Sequence, residues 1–158
     1  MKGLVVYDSR YGNTEKIAME IGRLLGSNLK VLMANEVKEA DLKDLRFVVI
    51  GSPTHGGRPS ENIIKFINIM PVGLRAVFFD TRLEKNNQGF GLKIVMSVIG
   101  YAAEKMERQF RNRGGKILVK AGGFMVTNKE GPIIKGELEK LKSWVDEIKE
   151  QSSILMVK

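Results

Sequence analysis

The sequence predicts an α/β protein in which helices cover both faces of a parallel β-sheet, giving three layers. Short apolar runs rich in β-branched residues alternate along the chain with segments whose apolar residues recur at helical spacing. The short runs lack the polar alternation of a half-exposed strand, which is typical of strands buried on both faces. A length of 158 residues with 43% hydrophobic content is sufficient for one domain with a buried core.

Five of the apolar runs are predicted to form strands. They comprise residues 4–7, 29–33, 47–51, 74–79 and 116–121. The segments 81–91 and 122–131 are expected to be loops, because they are rich in glycine, asparagine and charged residues.

Four helices are predicted between and after these strands. The first helix begins near residue 14 and the second near residue 60. The third lies within 93–113, and the fourth spans about 134–150. Asn13 or Thr14 can cap the first helix and Gly26 can end it, while Pro71 stops the second. Residues 34–45 are expected to be a polar connection.

Composition excludes several classes of protein. The chain has no cysteine, which rules out disulfide scaffolds, iron–sulfur clusters and thiol catalysis, and its single histidine, His55, argues against a histidine-rich metal site. No apolar run approaches 18 residues, and the apolar stretch near residue 1 is too short for a signal peptide, so we expect an intracellular, cytoplasmic protein without a membrane span.

The net charge of +8 indicates what kind of partner the chain prefers. Residues 82–116 carry eight basic and three acidic side chains, so five of the eight net charges lie in this stretch. Such a surplus favours acidic partners. Nucleic acid is not expected as a partner, since no helix-turn-helix or aromatic-basic surface accompanies the charge.

The loop Ser9–Thr14 has the composition of a phosphate-binding loop. It follows a buried strand and places hydroxyl, amide and backbone N–H groups at the start of a helix, where an anion is stabilised. Ordinary helix capping is the alternative interpretation, since the same residue types are common in such turns. The loop matches neither a Walker A nor a G-x-G-x-x-G motif.

Three loops in order along the chain resemble those of the flavodoxin family. Residues 7–14 (YDSRYGNT) are similar to its phosphate loop, residues 51–57 (GSPTHGG) to its second flavin loop and residues 78–82 (FFDTR) to the end of its fourth strand. The segment 130–132 before the last helix is also similar. The resemblance implies a five-stranded sheet of order 2-1-3-4-5, one noncovalently bound FMN, and electron transfer.

The resemblance also implies which residues contact the cofactor. Those expected at the phosphate are Ser9, Tyr11, Asn13 and Thr14, with Gly12 giving room, and those expected along the ring are Pro53, Thr54, His55, Gly56, Gly57, Thr81 and Arg82. Arg10 departs from the family pattern, and it either offsets phosphate charge or points to solvent.

Several of these roles have an alternative. His55 either contacts the ring or is an idle surface residue, and Arg82 either favours the reduced flavin through its charge or is solvated. A second aromatic against the flavin could come only from Phe90 or Tyr101, and neither is well placed by spacing.

The resemblance leaves more than one function open. We expect an electron carrier between a reductase and a client oxidoreductase. The alternatives are an FMN-dependent NAD(P)H:acceptor reductase of the quinone type or a flavodoxin-like dehydrogenase, and a binding module without flavin. The domain is expected to span residues 1–150, followed by an apolar tail, 151–158, which leaves monomer and homodimer open.

Overall fold

A computed structural model describes residues 2–26, 29–71, 73–84 and 100–154. Its strands are β1 (Gly3–Tyr7), β2 (Lys30–Met33), β3 (Phe47–Pro53), β4 (Arg75–Leu83), β5 (Lys116–Ile117) and β6 (Gly122–Val126). Its helices are α1 (Asn13–Leu25), α2 (Glu39–Leu42), α3 (Glu61–Ile69), α4 (Ala102–Asn112) and α5 (Glu137–Ile154). Phe90 and residues 93–99 of the predicted third helix lie outside the described residues.

The sheet is parallel and has the order β2-β1-β3-β4-β5, which confirms the predicted order. A sixth strand, β6, pairs with the second half of β4. Gly51 of β3 aligns with Tyr7 of β1, and Thr81 of β4 aligns with Phe124 of β6. The register therefore brings the carboxyl ends of these four strands to one edge of the sheet.

The prediction of one continuous fifth strand over 116–121, followed by a loop, is wrong. Ile117 pairs with Ala76, and pairing resumes only where Gly122 meets Phe79, so five residues of this segment span three of β4. The two extra residues bulge out and divide the strand. Gly122 and Gly123, which look like strand breakers in the sequence, permit close packing: a Cβ at 123 would lie 2.3 Å from Arg82 Cζ.

Four other local expectations also differ from the structure. β4 continues through Thr81–Leu83, predicted as loop, because these residues pair with β6. The 34–45 connection contains the short helix α2, and the last helix begins at Glu137. The N-cap of α1 is Gly12, with φ of 84°, and neither Asn13 nor Thr14.

Two separate apolar layers fill the space on either side of the sheet, which confirms the three-layer arrangement. Successive residues of β4 point to opposite faces. Phe78 packs with the apolar sides of α3 and α4, represented by Ile63 and Phe110. Phe79 packs on the other side against α1 and α5, represented by Ile17 and Val145. These layers hold the strand ends in fixed relative positions.

Candidate functional site

A cleft of about 220 Å³ opens at the carboxyl edge of the sheet. Ten of the thirteen predicted site residues line it: Ser9, Arg10, Tyr11, Asn13, Thr14, Pro53, Thr54, His55, Gly56 and Thr81. Leu83, Val126 and Lys129 also line it and were missed. Leu83 and Val126 lie in segments predicted as loops, and Lys129 belongs to no motif. The pairing of β6 with β4, which the sequence does not reveal, brings these segments to the cleft.

The start of α1 faces the cleft without a side-chain cap. Gly12 is the N-cap, and its own N–H donates to Ser9 Oγ at 3.0 Å, which shapes the turn. The first N–H groups of a helix have no partner within the helix, and they carry the positive end of its dipole. An uncapped start at the bottom of a cleft is suited to binding an anion.

The side chain of Asn13 fastens a second loop to this helix start. Its Nδ2 donates to the carbonyl oxygen of Lys129 at 2.9 Å. The Oδ1 atom is buried with no hydrogen-bond partner among the described residues and packs against Gly131, where a Cβ would come within 2.6 Å. The Asn13 amide thus positions the loop after β6, and Lys129 with it, beside the cleft.

Thr14 and Thr81 join α1 to β4 through their hydroxyl groups, 2.8 Å apart and buried. Each hydroxyl therefore already has a protein partner. Of the two residues that could cap the helix, Thr14 instead contributes a backbone N–H at the helix start and a side chain that fixes the helix against β4.

Thr54 has its polar groups fully engaged. Its hydroxyl donates to Asp80 Oδ2 at 3.0 Å and accepts the N–H of Ala102 at 3.0 Å, and its own N–H donates to the Thr81 carbonyl. Thr54 consequently shapes the cleft wall and connects it to the start of α4.

Arg82, which the resemblance implies along the ring, is not among the residues that line the cleft. Because β4 continues past it, Arg82 points to the face opposite Thr81. Its Nε donates to Asp80 Oδ1 at 2.6 Å, and its guanidinium lies 3.9 Å from the centre of the Tyr101 ring. Glu104 Oε1 lies 3.3 Å from Arg82 Nη2 and forms a second ion pair with the guanidinium. Arg82 and Tyr101 therefore both belong to this cluster. Tyr101 is one of the two aromatic residues considered above for contact with the flavin ring, and the other, Phe90, lies outside the described residues.

The loop after β3 turns tightly at the cleft rim. His55 and Arg58 exchange two backbone hydrogen bonds, and the residues between them, Gly56 and Gly57, have φ of 54° and 73°. Positive φ at both central positions is the geometry of a type I′ turn, which glycine adopts at low cost. Gly56 lines the cleft, whereas Gly57 is buried within the turn.

His55 lines the cleft, as do the cations Arg10 and Lys129. Its ring is 6.5 Å from that of Tyr11, edge to face. Partial burial, then Arg10 and Lys129, lower the pKa of His55, and Asp8 opposes them. A neighbouring cavity of about 300 Å³ shares Arg10 and His55 with the cleft.

Two kinds of feature are absent from the described ranges. No group of three or more histidine, cysteine or acidic side chains is placed to hold a metal ion. Among the helices of those ranges, none combines the length and the apolarity that crossing a membrane requires.

Comparison with solved structures shows the same fold in several proteins of low sequence identity. A flavodoxin from the domain Archaea is 20% identical with a TM-score of 0.71, covering 96% of this chain and 99% of that one. Oxidised Flavodoxin 1 from Bacillus cereus is 17% identical with a TM-score of 0.69, covering 95% and 98%. Rubredoxin oxygen:oxidoreductase from the anaerobe Desulfovibrio gigas is 17% identical with a TM-score of 0.63, covering 98% of this chain and 37% of that one.

Two further comparisons, with curated proteins and with family models, use the sequence alone. The sequence matches no curated protein. The model of the Flavodoxin domain, however, matches residues 4–128, which run from the second residue of β1 to just after β6 and include the loops that follow β1 and β3. The chain therefore belongs to the flavodoxin family.

Proposed function

We propose that the chain binds one FMN without a covalent bond and carries electrons between a reductase and a client oxidoreductase. The observation that carries this proposal is the uncapped start of α1 at the bottom of the cleft, between the loops after β1 and β6. A phosphate group satisfies free helix N–H groups of this kind. Family membership, which implies flavin binding, supports the same conclusion.

The phosphate of FMN would be held mainly by backbone groups. Ser9, Tyr11 and Gly12 form the turn, and Asn13 and Thr14 offer their N–H groups, since both side chains already have protein partners. The close approach of backbone to phosphate needs the positive φ of Gly12.

The ring would lie along the loop after β3. Pro53, Thr54, His55 and Gly56 line the cleft on that side, and Gly57 supports the turn from within. FMN supplies the redox chemistry when bound, whereas the protein's part is to bind it, orient it and limit its contact with water. Thr81, which also lines the cleft, would lie near the pyrimidine edge of the ring.

The client is proposed to present an acidic surface. The chain carries a net charge of +8, and Arg10, Arg58 and Lys129 are exposed in the loops around the cleft. Complementary charge mainly accelerates association and selects partners.

We further propose a cytoplasmic location. Sedimentation would distinguish a monomer from a homodimer.

A second candidate function is an FMN-dependent NAD(P)H:acceptor reductase. The neighbouring cavity across His55, which Asp8 and Ser60 also line, offers room for a second small molecule. The same fold forms about a third of a protein named as an oxidoreductase, which supports an enzymatic setting.

Two measurements separate these possibilities. Protein purified with added FMN and dialysed should be yellow, with a two-banded visible spectrum and one flavin per chain. A carrier should then oxidise NADH or NADPH slowly unless a separate reductase is added, whereas rapid oxidation by the purified protein alone would favour the reductase. Protein that is colourless after unbound FMN has been dialysed away would remove both functions.

A further inference from the structure

Two cations from different loops line the cleft. Arg10 follows β1, and Lys129 follows β6, more than one hundred residues later in the chain. Both side chains are exposed, and neither forms a salt bridge with an acidic group in the described part of the chain. Their positive charge is therefore available to an anion in the cleft.

Hydrogen bonds fix the backbone of the loop that carries Lys129. Asn13 Nδ2 donates to the Lys129 carbonyl, as described above. Asn128 closes the loop with two further bonds. Its carbonyl accepts the N–H of Gly131 at 3.1 Å, and its side chain accepts the N–H of Glu130 at 3.0 Å. Gly131 then packs against Asn13, leaving no room for a Cβ. The loop is thus attached to the first residue of α1, the helix whose free N–H groups face the cleft.

His55 lines the same cleft as Arg10 and Lys129. Arg10 and Lys129 are the two cations that lower its pKa, and Asp8 is the acid that opposes them. Side chains from the loops after β1 and β6 therefore both act on one ring at the rim.

We propose that Arg10 and Lys129 form a cation pair that recognises the phosphate dianion and makes the chain select FMN over riboflavin. This inference rests on the proposed function. The helix start supplies hydrogen bonds to a phosphate, and the pair adds charge that a flavin without phosphate cannot use. Binding of FMN, and not of riboflavin, should then depend on salt concentration.

The first test compares dissociation constants of FMN and riboflavin for the wild-type chain and for Arg10→Gln, Lys129→Gln and the double variant. Each single variant should weaken FMN binding about five-fold and the double variant about 25-fold, with riboflavin changed less than about two-fold. Lys135→Gln, an exposed lysine outside the cleft, is the matched control and should leave both constants unchanged.

Salt gives a second readout of the same proposal. Raising potassium chloride from about 50 to 500 mM should weaken FMN binding to the wild-type chain and leave the double variant almost unaffected. Unchanged FMN binding in the double variant, or an equal loss for riboflavin, would overturn the inference while leaving the proposed function intact. Failure of the wild-type chain to bind FMN would instead remove the proposed function.

A third readout needs no flavin. His55 is the only histidine, so its imidazole gives one unambiguous NMR titration. Lys129→Gln and Arg10→Gln should each raise its pKa, and Lys135→Gln should not. Inorganic phosphate should also raise it in the wild-type chain, and less in the double variant, because an anion between the cations offsets their effect. A titration insensitive to all of these changes would contradict the convergence of the two charges.

Discussion

Arg82 and Asp80, two residues apart on the same face of β4, form a buried ion pair with Nε and Oδ1 2.6 Å apart. The carboxylate also accepts the N–H of Ala103 at 2.8 Å and the hydroxyl of Thr54. Burial raises the pKa of Asp80, and the guanidinium opposes this effect. Burial alone would lower the pKa of Arg82, but Asp80 and Glu104 outweigh it. The pair thus connects β4, the start of α4 and the cleft wall.

Replacing Asp80 should be strongly destabilising. Asp80→Ala leaves the Arg82 guanidinium, only 12% exposed, without its main partner and removes an acceptor from the start of α4. We expect a loss of about 3–5 kcal/mol in the free energy of unfolding, measured by urea denaturation. A loss below about 1 kcal/mol would show that the pair contributes little to this junction.

Gly51 should tolerate no side chain, although its backbone conformation is ordinary for a strand. A Cβ there would lie 2.0 Å from the ring of Phe79, which packs directly over the glycine. Gly51→Ala should therefore cost about 1–3 kcal/mol or more through overpacking. Gly73→Ala is the matched control, since its Cβ would meet nothing within 4 Å, and it should change stability by less than about 0.5 kcal/mol. Equal effects of the two changes would be inconsistent with the packing described.

The buried hydroxyl pair of Thr14 and Thr81 should show strong coupling. Thr14→Val leaves the Thr81 hydroxyl buried without this partner, at a cost of about 1–3 kcal/mol. Adding Thr81→Val should recover part of the loss, because no unpaired hydroxyl remains. A thermodynamic cycle of the two single variants and the double variant measures the coupling, and strict additivity would argue against the bond.

Tyr7 should ionise only in strong alkali. Burial, then the nearby Glu15, raises its pKa from 10.0 to about 12. The unfolded chain loses this proton first as pH rises, so the associated stability is complete below pH 10 and is lost as pH rises through about 12. Tyr7→Phe should remove the latest step from a phenolate absorbance titration. Persistence of that step in the variant would assign it to another tyrosine.

Most of the architecture could be predicted because local pattern and tertiary packing agree. β1 is buried along its whole length and β3 from Phe47 to Ser52, as their apolar runs predict, and the apolar side of α1 packs where its periodicity indicates. The second half of the fifth strand could not be predicted. Its pairing depends on a bulge and on Gly122 and Gly123 fitting beneath Trp144 and Arg82, contacts from distant parts of the chain.

The residues of the candidate site divide in the same way, into those that a local motif predicts and those whose position depends on contacts with distant parts of the chain. Short motifs predict the residues of the loops after β1 and β3, and the structure gathers most of them around one cleft. Arg82 lies outside the cleft because β4 continues to Leu83, and the end of a strand is poorly indicated by a sequence. Lys129 was missed because only the bond from Asn13, 116 residues away, brings it to the helix start.

The central claim is that the start of α1 binds the phosphate of FMN, and backbone amide NMR tests it most directly. On titration with FMN, the largest shifts should occur at the amides of residues 10–15, followed by residues 54–57. Lys16, whose N–H already bonds to Gly12, should keep its hydrogen bond. Absence of shifts, or shifts centred on the groove of Val37, Leu42 and Ile69 at the other end of the sheet, would contradict the account.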